Sequence, residues 1–180
     1  MSVRSDLLKH LKTDDGFKRY VSIRKECETA FPIETISDEL ELILRTRQIR
    51  TLTAQSKLAP KKLITVSIDE ADKRARLTEI IVTSRRCSAK LEAVMDVMHQ
   101  HVLSECTDLL SSVRTKGERD QIVQSVLAKG WELIHVMNAT TERAQTIIED
   151  IDQSSYNLNR MVKLVELIVQ KEHIVNIDVH

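Results

Sequence analysis

Aromatic residues are almost missing from this chain: one Trp, two Tyr and two Phe, 3% of 180 residues. Three glycines and two prolines leave few turn formers. A sheet-rich fold with many short connections would carry more of both, so a β architecture is excluded on composition. No apolar run approaches the roughly 20 residues that span a bilayer as a helix. Met1–Asp6 lacks the apolar core of a secretion signal. Cysteine is scarce as well, and Cys27, Cys87 and Cys106 form an odd set without metal-knuckle spacing. They read as small core residues of a reducing compartment. The expected setting is therefore intracellular and soluble, in the cytoplasm or in a larger particle. Formal net charge is zero, so no partner is implied by global charge.

What the chain has in quantity is helical period. Leu77, Ile80, Ser84, Cys87, Leu91, Val94 and Met98 step alternately by three and four, which is a heptad seam. Two steps of four follow, through Val102 to Cys106, before Leu109 and Val113; such a stutter locally relaxes a supercoil. A second track runs Val123, Val126, Gly130, Leu133, Met137, Thr140, Ala144, Ile147, Ile151, Ser154, Leu158, Met161, Val165 and Ile168. A flanking row of Ile122, Leu127, Ile134, Ile148, Val162 and Val169 widens the stripe beyond a two-stranded seam and calls for another helix alongside.

These tracks predict two long arms between Ser67 and about His173, turning at Arg114–Gly117. Ser67 and Glu70 have the capping-box spacing for the start of the first arm, and Gly117 can stop a helix. So short a turn makes the arms antiparallel neighbours, on the order of 70 and 80 Å long at helical rise. Ahead of them, residues 2–12 and about 15–30 predict two short amphipathic helices that dock on the hairpin or on another subunit; Phe31–Pro32 ends the second. A third long helix is expected from about Ser37 to Leu58, capped by Thr35 or Ser37, with a sparse seam of Leu42, Ile49 and Leu52. Ala59–Pro60 closes it, and residues 61–66 read as a linker with some strand character. The fold class is all-α: a long antiparallel, coiled-coil-like hairpin with a third long helix and short N-terminal helices. The organisation is 1–33 docking helices, 34–66 basic helix and linker, and 67–180 hairpin.

Charge is segregated along this frame. From Arg45 to Lys90 there are twelve basic and four acidic residues, whereas residues 142–180 hold seven acids and four bases. The stretch Arg45, Arg47, Arg50, Lys57, Lys61 and Lys62 contains no acid. One reading is a solvated face neutralised by acidic regions of the same or a neighbouring subunit. Another is contact with nucleic-acid phosphates, salt-sensitive and weakly sequence-specific, because no aromatic residue is present to stack on bases. An anionic membrane surface is a third.

Catalytic patterns are not found: no phosphate-cradling glycine loop, nucleophile elbow or His-Glu-x-x-His pair. His99 and His101, with Asp96, Glu105 and Cys106 nearby, point to different sides of a helix and read as polar surface positions. His135 and His173 read as solvated, and Trp131 as an anchor for an N-terminal helix. No cofactor or metal is implied. The leading expectation is a non-enzymatic helical assembly protein, a scaffold or adaptor that pairs with itself or with other helical subunits. Its seam is Leu77, Ile80, Leu91, Val94, Met98, Ile147, Ile151, Leu158, Met161 and Val165. The alternative is a nucleic-acid accessory factor, such as a single-strand binding mediator or loader in recombination or replication, using the six basic residues of 45–62.

Overall fold

A computed structural model describes residues 3–52 and 60–177, excepting the side chains of Arg50, Thr51, Pro60, Val165 and residues 168–177. The elements are α1 (Val3–Leu11), α2 (Asp15–Ala30), α3 (Ile33–Arg45), a 3-10 turn (Gln48–Thr51), α4 (Pro60–Glu105), α5 (Thr107–Leu110) and α6 (Lys116–Ile177). No strand occurs among the described residues. The all-α hairpin is present: α4 packs against α6, and short helices precede it.

Several expected boundaries move, each for a local reason. The helix expected from Ser37 starts at Ile33, directly after Pro32, whose carbonyl accepts from Ile36 N–H at 3.0 Å. It stops at Arg45, because Arg47 turns out of helical geometry (φ −64°, ψ 109°). Its buried residues are Ile36, Leu40 and Ile43, whereas Leu42 is exposed, so the face read from Leu42 is rotated. Residues 61–66 are helical rather than strand-like, since α4 begins at Pro60. Proline suits a first helical position, where its missing N–H leaves nothing unbonded. Val66 continues the three–four track back from Leu77 and is fully buried. The capping box read at Ser67 and Glu70 therefore lies inside α4 and is not formed.

The turn also differs. α4 breaks at Cys106 (φ −104°, ψ 26°), at the end of the stutter, and α5 adds one further turn. Gly117 is helical, and no glycine has positive φ. The capping box stands instead at the start of α6. Thr115 Oγ1 accepts from Glu118 N–H at 3.2 Å, and Thr115 N–H donates to Glu118 Oε2 at 3.3 Å, which satisfies two otherwise orphaned donors.

By contacts the chain divides into two compact units, residues 1–37 with 81–142, and residues 38–80 with 143–180. In the first, Leu91, Met95, Met98 and Val102 of α4 are buried, as are Val123, Leu127, Leu133, Ile134 and Met137 of α6. Ser84 Oγ donates to Met137 O at 2.8 Å and accepts from Thr141 Oγ1 at 2.9 Å, so the polar pair is satisfied within the seam. The N-terminal helices dock here. α1 packs on α5, and Asp14 caps α2 by accepting from Phe17 N–H at 2.7 Å. Tyr20 of α2 and Met95 of α4 converge on Gly130, where a Cβ would lie 2.7 Å from the Tyr20 hydroxyl and 2.4 Å from Met95 Sδ. Gly130 thus lets α2 and α4 approach α6 closely beside Trp131. In the second unit, Leu77 and Ile80 of α4 are buried, with Ala144, Ile147, Ile151 and Leu158 of α6.

Candidate functional site

Leu91, Val94 and Met98 of the expected seam lie in the first unit, while the second carries the other seven of the ten seam residues and the six basic residues singled out for phosphates. Its centre is Arg47, whose side chain is 0% exposed against 1% for Glu70. Arg47 Nε donates to Glu70 Oε2 at 2.9 Å. Nη1 pairs with Asp150 Oδ2, and Nη2 reaches Asp150 O at 3.4 Å. A guanidinium with several donors in a fixed fork can hold two carboxylates in this way. Glu70 Oε1 is buried and finds no partner among the described residues.

Around this cluster, three further basic residues are paired. Lys73 Nζ donates to Thr46 O at 2.7 Å and to Asp69 Oδ2 at 2.6 Å. Arg74 grips Asp152 through two bonds of 2.7 and 3.1 Å. Arg76 grips Glu39 at 2.6 and 2.9 Å. Hydrogen bonding from Arg76 holds the Glu39 carboxyl below its ordinary range, and Arg74 does the same to Asp152. Of the six residues proposed for phosphates, Arg47 is enclosed, and its charge is spent on Glu70 and Asp150. Arg45, Lys61 and Lys62 are exposed. The Arg50 side chain and all of Lys57 lie outside the described residues.

The expected seam is placed as follows. Leu77, Ile80, Leu91, Met98, Ile147, Ile151 and Leu158 are buried. Val94 and Met161 are half-buried, because Met95 takes the seam position beside Val94. The Val165 side chain lies outside the described residues. The seven buried ones are core of one chain and not a free edge. Large apolar side chains remain exposed in both units: Val82 and Val97 in the first, and Leu42 with five others in the second. Ile64 and Ile68, one turn apart on α4, are 61% and 58% exposed. Tyr156, Leu164 and Leu167 of α6 are 63%, 57% and 57% exposed. The pairing of Arg74 with Asp152 puts Tyr156 near the level of the stretch that carries Ile68.

In the first unit, Trp131 lines an open groove of about 610 Å³ with Gln124, Ala128, Glu132, His135 and Val136, all on α6. His101 Nε2 lies 3.0 Å from Asp14 Oδ2, and His99 lies 4.0 Å from Asp120. Burial pulls the Asp14 carboxyl upward, but the Phe17 N–H and His101 outweigh it and leave it below the ordinary value. Among the described residues no three His, Cys, Asp or Glu side chains could hold a metal ion, and no helix is long and apolar enough to cross a membrane.

No family model, no curated protein and no solved structure matches this chain.

Proposed function

We propose that this protein is an α-helical assembly subunit that associates with copies of itself through the apolar residues left uncovered in the second unit. The observation that carries this reading is the exposure of Ile64 and Ile68 on α4 and of Leu164 and Leu167 on α6, all in the second unit. These four large aliphatic side chains each keep more than half their surface in water, apolar area that association can cover. Covering each contributes on the order of 1–2 kcal/mol. Two copies contribute eight such side chains, so the gross gain is about 8–16 kcal/mol, against roughly 4–15 kcal/mol of lost freedom. The balance favours reversible, concentration-dependent association.

Light scattering after size exclusion, from sub-micromolar to hundred-micromolar protein, reads this directly. Mass should rise with concentration, and the Ile64→Lys/Ile68→Lys variant should stay monomeric. A wild-type monomer across the whole range would remove the reading. Among the described side chains the nucleic-acid alternative rests on Arg45, Lys61 and Lys62, and the ion pairing of Arg47, Lys73, Arg74 and Arg76 supports the assembly reading over it.

A further inference from the structure

Cys27 of α2 and Cys87 of α4 meet in the first unit, far apart in sequence and both buried. Cys27 Sγ donates to Cys87 O at 3.6 Å. Burial, followed by the charge and hydrogen bonding of the Cys87 thiol, pushes the Cys27 thiol up to about 11. Neither is sealed off. Both line a groove of about 380 Å³ that also takes in Glu26, Arg86 and Lys90. Lys90 Nζ is held by Glu26 at 2.6 Å, and Arg86 has no ion pair among the described residues, so the rim carries one unspent positive charge.

Two buried thiols thus line one groove together with cationic side chains. We infer that Cys27 and Cys87 form a modification site that takes a small anionic disulfide, of the oxidised-glutathione class, and becomes a Cys27–Cys87 disulfide. Cys87, 7% exposed against 2% for Cys27, is the entry point. Its thiolate attacks one sulfur of the ligand, the ligand's S–S bond breaks, and one small thiolate leaves and takes up a proton. Cys27 then gives up its proton to solvent and attacks the Cys87 sulfur of the mixed disulfide, expelling the second small thiol. The protein loses two electrons and two protons, and the ligand is reduced to two thiols. The product staples α2 to α4 across 60 residues of sequence, a loop long enough for the cross-link to stabilise appreciably. Cys106 is buried and its own thiol is likewise raised by burial; it does not line this groove and is the internal control.

The test is to incubate the native, full-length protein with oxidised glutathione and follow intact mass and non-reduced peptides. The expected result is loss of two hydrogens and a Cys27–Cys87 linked peptide. Dithiothreitol should reverse it, and the thermal midpoint should rise by several degrees. Cys106→Ser should behave as wild type, and Cys27→Ser should stall at a mixed disulfide on Cys87. Cys27→Ala checks that the stall is chemical and not a folding defect. Two results would overturn the inference: a wild-type protein that accumulates only mixed disulfide, or one whose Cys106 reacts as fast as Cys87. Reaction confined to urea-unfolded protein would overturn it equally.

Discussion

Removing the Arg47 guanidinium should destabilise the protein far more than its place in a basic stretch would imply. Arg47→Met keeps most of the apolar stem but leaves Glu70, 1% exposed, as a buried carboxylate without its cation. Asp150 is 44% exposed at its side chain and can return to water, so the penalty centres on Glu70. Stripping one partner from a buried pair typically costs about 3–5 kcal/mol. For a chain of this size that is a fall of roughly 6–20 °C in thermal midpoint, at about 2–4 °C per kcal/mol. Replacing both partners, Arg47→Met with Glu70→Leu, removes the stranded charge and should recover most of the loss, because apolar isosteres of buried pairs are often neutral or better. Thermal and urea melts followed by far-UV circular dichroism in reducing buffer measure all three proteins. A single variant within about 1 kcal/mol of wild type would refute the reasoning, since surface ion pairs are worth no more than that. A double variant no better than the single would refute it too.

Other consequences follow from the same geometry. Two glycines of α6 should respond with opposite signs. Gly130→Ala must displace the Tyr20 hydroxyl and Met95, and overpacking of about 1–3 kcal/mol should exceed the helix-propensity gain of about 1 kcal/mol. Gly117→Ala enters open space in the first turn and should stabilise by a few tenths of a kcal/mol, both read as urea midpoints. On acidification, Asp14, Glu39 and Asp152 have folded values below their ordinary ones. Their contribution is present above the ordinary values of 3.8 and 4.5 and is lost as pH falls through the lower, folded ones. Glu39→Gln should therefore flatten the urea-midpoint profile on the acid side of pH 4.5 and leave its shape at neutral pH unchanged.

The long helices were legible because their apolar period is unbroken over many turns, and burial of Leu77, Leu91, Ile147 and Ile151 follows from that period. The start of α4 was not legible. Val66, Glu70, Lys73 and Leu77 lie on one three–four track, yet charge at the two middle positions breaks an apolar pattern. Only Arg47, supplied from a separate segment, makes Glu70 tolerable there, and a local window cannot see it. The Thr115–Glu118 capping box stood in the sequence in plain form, but a glycine between its ends invited a helix stop. Thr141 and Met95, each one position from an expected seam residue, show where a 3.6-residue period in a wide stripe leaves the choice to packing. The exposed Ile64 was hidden by treating residues 61–66 as a linker, and Ile68 by reading Ser67–Glu70 as a helix start.

Hydrogen-exchange mass spectrometry of the wild-type protein at low and high concentration tests self-association through the second unit most directly. Protection should increase with concentration in peptides spanning Ile64–Ile68 and Tyr156–Leu167, and stay constant over the Trp131 groove and α2. Protection independent of concentration in those two peptides, or gained only in the first unit, would contradict the assignment of the assembly surface.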